Sequence, residues 1–458
     1  MSWRKVRLGD ILKQYRIEHR VDDTTTYKQV SILNDGSVVL RGEKLGKEIG
    51  RKRQFKIDTK KYPNTLIFTR QLLLQGSIGI ASDNVHDCIV TENMPMFSID
   101  TTKIDKRFLI LFLRSEIFKS RIREIELSGS AQKSIHERTF LNLDFLIPPF
   151  ELQKTKVVEL LKSKSNSNNI SSELTHQLSL VKKLRQQLLQ DAVQGKLVVA
   201  PSPLERAGGE VDEPASELLK KIKAEKEQLI KSGKLKKEKE LPAIKKEEIP
   251  FEIPGNWIWC RLGEIVNLVT SGSRDWAKYY SSVGDIFVRM GNLSRDSYNL
   301  RMNKIQYVKP PKNQEGNRTR LEENDILISI TGEVGNLGLI PKGFGEAYIN
   351  QHTALVRLNN IIVTKFICNL FLSETMQVQF NAPQRGMKNS FRLTDIDYLL
   401  IPLPPLSEQI RIVQKLDEVL GKCNALEESI KQSALQNEKL LQQVLREALR
   451  GVPFEAKK

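Results

Sequence analysis

Pro148-Pro149-Phe150-Glu151-Leu152-Gln153 opens a stretch that closes on Leu188-Leu189-Gln190-Asp191-Ala192-Val193-Gln194-Gly195. The same design returns as Pro404-Pro405-Leu406-Ser407-Glu408-Gln409, closing on Val444-Leu445-Arg446-Glu447-Ala448-Leu449-Arg450-Gly451. A constant offset of 256 aligns 48 positions without a gap, and 13 are identical, among them Gln153/Gln409, Val157/Val413, Leu160/Leu416, Lys183/Lys439, Leu184/Leu440, Gln186/Gln442 and Ala192/Ala448. Unrelated sequences of ordinary composition would share roughly three in such a window. The chain therefore carries an internal duplication.

Both copies read as long helices. Pro-Pro sets a stiff start, and the closing Gly suits a C-terminal cap. Ile170, Leu174, Leu178, Val181, Leu184 and Leu188 keep helical spacing, matched by Leu426, Ile430, Ala434, Leu440 and Val444. A stripe this narrow fits a coiled-coil seam better than a globular core. Ser163–Asn169 is a poor helix stretch and predicts a break or kink. The expected arrangement is an antiparallel pair, at most roughly 70 Å long, serving as a ruler between two domains.

At 458 residues the chain suits two or three domains. A formal charge of +17 points to a polyanion or an acidic surface as partner. Cys88, Cys260, Cys368 and Cys423 lie far apart, without metal or disulfide spacing, and read as reduced core residues. With no long apolar run and no leader pattern, a soluble, reducing, intracellular setting is expected.

Residues 1–147 show short apolar runs between Gly, Asn and Asp clusters. Lys28–Leu33, Thr65–Phe68, Ile78–Ala81 and Met96–Ile99 are strand candidates, and Arg107–Ile125 is helical. Residues 256–403 repeat the layout: Trp3-x-x-x-Arg7-Leu8-Gly9-Asp10 returns as Trp257-x-x-x-Arg261-Leu262-Gly263-Glu264, and Gly76-Ser-Ile-Gly-Ile as Gly335-Asn-Leu-Gly-Leu. Between these shared pieces the two differ freely. Two mixed α/β (α+β) domains on one scaffold with different loops imply two different things recognised. Residues 197–255 read as a charged linker. It holds a short helix, Ser216–Lys231, with Ser216 as N-cap and Leu218, Leu219, Ile222 and Leu229 on one side. The Lys/Glu run Lys234–Glu248 that follows reads as solvated.

In order, the chain shows an α/β domain, a Pro-Pro-x-x-x-Gln helix ending Gln-Gly-Lys-Leu-Val, then Asp-Glu-Pro-Ala-Ser-Glu-Leu-Leu. Glu-Ile-Pro-Phe-Glu-Ile-Pro-x-x-Trp leads into a second domain and a second such helix. This order resembles the specificity subunit of type I restriction-modification enzymes over essentially the whole chain. Leu152 departs from the family's Pro-Pro-x-x-Glu-Gln pattern, which Glu408 keeps. The resemblance implies target recognition domains at 1–147 and 256–403, spacer helices at 148–196 and 404–458, and a pseudo-twofold internal repeat. Each domain would read one half of a bipartite DNA target. The helices would set the spacing and dock two methyltransferase subunits, with restriction subunits joining the full complex. S-adenosylmethionine, ATP and Mg2+ are implied for those partners, none for this chain, in a prokaryotic cytoplasm. A coiled-coil scaffold without sequence-specific DNA reading is the alternative; it leaves the two dissimilar loop sets and the positive charge unexplained.

No chemistry of its own is expected. An amino-methyltransferase needs Asn or Asp before Pro-Pro-aromatic to accept from the target amino group, and Ile147 and Leu403 stand there. No phosphate-binding loop or dinucleotide fingerprint occurs, and the five histidines are scattered without metal spacing. A reader of duplex DNA needs cations for phosphates and rigidly placed polar side chains for base edges. In the first domain these are Arg51, Lys52, Arg53, Arg70, Gln71, Gln132, Lys133 and Ser134. In the second the candidates are Ser273, Arg274, Trp276, Lys278, Tyr279, Arg385, Lys388, Asn389 and Ser390, with a place in the core equally open to Trp276 and Tyr279.

Overall fold

A computed structural model describes residues 3–50, 53–124, 134–197, 213–236, 240–311, 319–382 and 391–449. The chain divides into two compact units, one formed by residues 1–175 with 431–458 and the other by residues 176–430.

In the first unit, Arg4–Arg7 pairs antiparallel with Asp144–Ile147. A four-stranded sheet runs in the order Leu12–Tyr15, Met96–Ile99, Thr65–Phe68, Ile78–Ile80, and a five-stranded sheet lies beyond it. Leu66, Phe68, Phe97, Phe108 and Phe140 fill the main core. The expected helix Arg107–Ile125 is two helices, Lys106–Leu113 and Glu116–Glu124. The Ser115 hydroxyl donates to the Phe112 carbonyl and accepts from the Phe118 N–H, ending one helix and starting the next.

The second unit repeats this framework. Ile258–Arg261 pairs with Leu400–Leu403, and a four-stranded sheet runs Val266–Ser271, Thr353–Leu358, Ile326–Ser329, Leu337–Leu339. The strand registers make Tyr15, Ile67, Gly79 and Met96 equivalent to Thr270, Leu327, Gly338 and Leu355. The repeated glycines Gly76 and Gly335 both adopt the left-handed region, at φ 96° and 87°, which explains why glycine returns there. Among the described residues the second sheets diverge: five strands in the first unit, and four in the second, Tyr280–Ser281, Gln306–Val308, Asp285–Val288 and Ala347–Ile349.

The helix Phe150–Val193 is continuous, as is Leu406–Leu449. Within the first unit, Val157 and Leu160 share a core with Leu449, while Asn437 Nδ2 donates to the Ser167 carbonyl and to Ser171 Oγ. Within the second, Leu189 and Val193 share a core with Ile412 and Leu416, while Arg185 Nη2 meets Asn424 and Glu427. In both units the partner number falls as the helix number rises, so the pairing is antiparallel. No break occurs at Ser163–Asn169: Ser167 is buried against the second helix, and that packing overrides weak propensity.

The seam keeps Leu174, Val181, Leu188, Ile430 and Val444 of the expected stripe and replaces the rest. Gln153, Leu160, Ser167, Leu174, Val181 and Leu188 are buried or half-buried at a spacing of seven, as are Gln409, Leu416, Cys423, Ile430, Asn437 and Val444. Ile170, Leu184, Leu426 and Leu440 are exposed. A strict period of seven keeps one face toward a partner helix.

The repeated glutamine has a defined task. Buried Gln153 donates to the Pro148 carbonyl and accepts from the Asp105 N–H, both at 2.9 Å. Gln409 likewise donates to the Pro404 carbonyl at 3.0 Å and accepts from the Val363 N–H at 3.1 Å. Each amide ties the start of a long helix to the start of its unit's helix pair. Glu408 accepts from Asn256 Nδ2, whereas Leu152 is exposed; the first long helix begins without that contact.

Two readings of the connecting segment are corrected. Its helix is Ala215–Lys231, preceded by Pro214 rather than capped by Ser216, and Ala215, Leu218, Leu219 and Ile222 are buried in the second unit's core. The charge run is not wholly solvated either: Glu248 pairs with the buried Arg261 guanidinium, which also donates to the Pro242 and Tyr398 carbonyls. The cysteines are buried free thiols, as expected.

Candidate nucleic-acid interface

In the first unit a polar corner forms where Leu12–Tyr15 and Thr65–Phe68 run out and the short helix Glu137–Leu141 begins. The Glu137 carboxylate, 12% exposed, accepts from Arg70 Nη2, from Arg16 Nη2 at 3.3 Å and from Gln14 Nε2 at 3.3 Å. Burial pushes this carboxyl up, but the hydrogen bond from Arg70 and the charges of Arg70 and Arg16 outweigh it and hold it below its ordinary range. A cavity of about 60 Å³ lies alongside, lined in part by Arg53, Phe55, Glu92 and Met94.

Arg70 is thus fixed in an ion pair, 18% exposed, with its Nε buried and unpartnered. Arg53 and Gln71 are exposed, and Ser134 is half-buried. Arg51, Lys52, Gln132 and Lys133 lie outside the described residues. Arg16, which completes the corner, was missed by the sequence reading. Its signal was its place one residue past a strand whose apolar positions, Leu12 and Tyr15, were readable.

In the second unit the candidate segment leaves the sheet edge at Ser271. Ser273 bridges to Asn350, its hydroxyl buried and unpartnered, and Arg274 and Lys278 are exposed. Trp276 is a correction: at 3% exposure it is the centre of an aromatic core with Phe287, Tyr348 and Tyr279, so its indole is not on the surface. Tyr279 is half-buried at the rim, with Lys278 Nζ 4.8 Å from its ring centre. Arg385, Lys388, Asn389 and Ser390 lie outside the described residues.

Beside this segment His352 is held at both ring nitrogens, by Thr331 Oγ1 and Gln351 Nε2 at 2.9 Å each. This hydrogen-bonded cluster of His352, Thr331 and Gln351 contrasts with the Arg–carboxylate corner of the first unit. Among the described residues no group of histidine, cysteine and carboxylate side chains could hold a metal ion, and no helix is long and apolar enough to cross a membrane.

A duplicated mixed α/β scaffold, one framework twice over with divergent sheets and loops and paired long-helix segments in each unit, defines a class of internally repeated two-unit proteins. Residues 254–436 match the type I restriction modification DNA specificity domain. The chain is 30% identical over 410 residues to the type I restriction enzyme EcoAI specificity subunit of Escherichia coli, covering 78% of this chain and 65% of that one. It is 30% identical over 273 residues to the EcoEI specificity subunit of the same species, covering 58% of this chain and 44% of that one. The chain thus spans less than two thirds of either relative. Among solved structures, a chain from a type I R-M system study of complex assembly and conformational transition superposes with a TM-score of 0.70 at 17% identity, covering 98% of both chains. The HsdS subunit from Thermoanaerobacter tengcongensis gives 0.57 at 18%, covering 98% of this chain and 97% of that one. The resemblance drawn from the sequence is borne out: residues 254–436 carry the specificity-domain match, and the chain is similar to type I specificity subunits in sequence and in fold.

Proposed function

We propose that the chain is the DNA-reading, non-catalytic specificity subunit of a type I restriction-modification complex. Residues 1–147 and 256–403 each read one half of a bipartite duplex target. The helices within 148–196 and 404–458 set the gap between half-sites and dock two methyltransferase subunits, with residues 197–255 as the connection. Restriction subunits join the full complex in a prokaryotic cytoplasm, and S-adenosylmethionine, ATP and Mg2+ belong to those partners. One observation carries this reading: the four-stranded sheet keeps its strand order and register in both units, while the second sheet and the loops around it do not. A common frame with divergent faces is what two different half-sites require. The charge of +17 supplies the phosphate attraction.

The test is binding of the chain, assembled with methyltransferase subunits, to its mapped site and to a scrambled site at the same salt. Specific binding is expected to exceed nonspecific binding by at least a thousandfold. Equal affinity for the two would leave only a charged coiled-coil scaffold.

Removing one heptad from both long helices, residues 161–167 and the antiparallel partner segment 437–443, preserves the seven-residue seam. It shortens each helix by roughly 10 Å. Mapped methylation sites are then expected to keep both half-sites with a gap smaller by about three base pairs, each base pair rising roughly 3.4 Å. Altered half-site bases with an unchanged gap would refute the ruler.

A further inference from the structure

The charged corner of the first unit is absent from its twin. Strand register places Ser271 and Ile330 where the first unit has Arg16 and Arg70, and the repeat places Leu393 at the position of Glu137. The twin builds the same sheet without an ion pair at this corner, so the framework does not demand one.

We infer that Arg16 is a specificity-determining residue of the first domain, held in place by Glu137 and Arg70, and that its target is the major-groove edge of a guanine. This rests on the DNA reading proposed above. Arg16 is 55% exposed and meets Glu137 through Nη2, which leaves its other N–H donors for a ligand. Arg70 is far less exposed and grips the same carboxylate oxygen from the inner side, which keeps the carboxylate from swinging. A backbone phosphate takes a guanidinium fork too, but any mobile cation serves it and it needs no pre-set orientation. A planar guanidinium fixed by a carboxylate instead matches two acceptors at a set spacing, and guanine O6 and N7 provide them. The neighbouring cavity of about 60 Å³ is well under the roughly 150 Å³ that admits a benzene-sized ring, so the corner meets a base edge rather than a whole extruded base.

The experiment uses the full chain with its methyltransferase partners. Methylated sites are mapped, and binding is then measured on a panel substituting each base pair of the first half-site at one salt concentration. Wild type is expected to require a G·C pair at one position. Arg16→Ala is expected to reduce discrimination at that pair by roughly tenfold to a hundredfold, leaving the second half-site untouched. Arg16→Lys is expected to do the same, because the charge stays but the two-pronged geometry is lost. Glu137→Gln is expected to relax the same pair to a smaller degree. Four results would overturn the assignment. A half-site lacking guanine, or unchanged preference in both Arg16 variants, removes the base contact while sequence-specific binding survives. Uniform weakening on every sequence, with a shallower salt dependence, makes Arg16 a phosphate contact. Sequence-independent binding by the wild type removes the DNA reading itself.

Discussion

Replacing Arg357 by methionine is expected to destabilise the second unit by about 3–5 kcal/mol, the usual cost of stranding a buried charge. Asp325 is fully buried and accepts Arg357 Nε at 2.7 Å and Nη2 at 2.8 Å, with the Glu322 N–H on the second oxygen at 2.7 Å. Burial raises the pKa of this carboxyl even with its partner in place, the hydrogen bond from Arg357 pulling the other way. The sign follows. A carboxyl whose folded pKa lies above its unfolded value contributes stability when protonated and loses that contribution as pH rises through the folded value. Without Arg357 the rise is larger, so the cost of the substitution is expected to shrink as pH falls from 7 to 5. Denaturant unfolding followed by tryptophan emission checks this, since Trp257, Trp259 and Trp276 all lie in the second unit. The same cost at both pH values would show that Asp325 does not titrate as described. The twin suggests a rescue: Thr65 and Ser98 occupy the equivalent paired positions, and Tyr15 closes that site with a 2.7 Å hydrogen bond to Thr65. Asp325→Thr combined with Arg357→Ser is expected to cost less than Arg357→Met alone.

Gln409→Leu is expected to cost about 3 kcal/mol. It leaves the Val363 N–H and the Pro404 carbonyl without partners in the core, each worth about 1–3 kcal/mol. Gln153→Leu is expected to do the same to the first unit through the Asp105 N–H and the Pro148 carbonyl. Thermal melts of the intact chain are expected to show an earlier transition in each variant. An unchanged melt would mean that water replaces the amide and that the repeated Gln has another reason to recur.

The duplication, the two long helices and the strands Thr65–Phe68 and Met96–Ile99 were legible because local pattern decides them. The seam was legible in part: Leu174, Val181, Leu188, Ile430 and Val444 lie in it, but following the largest apolar residues also drew in Ile170, Leu184, Leu426 and Leu440, which are exposed. Leu184 and Leu440 outrank Ser167, Cys423 and Asn437 in hydrophobicity, yet packing against the partner helix puts the smaller and more polar side chains inside. The period of seven running from Gln153 and Gln409 held the correct register. The charged corner of the first unit was half legible. Arg70 stood out as a cation after a strand, but its partner Glu137 lies 67 residues away, and only the folded sheet brings Arg16 to the same carboxylate. Of the two places open to Trp276, surface reader or core, local sequence could not choose, because its neighbours Arg274 and Lys278 are exposed. Three aromatic rings distant in sequence or nearby in space, Phe287, Tyr348 and Tyr279, enclose it.

The most direct measurement exchanges residues 256–403 for the corresponding domain of a relative with a different target and maps methylated sites in a host carrying the partner subunits. Two independent readers on one frame predict one half-site replaced by the donor's, with the other half-site retained. Change in both half-sites, or in neither, would contradict that division of labour.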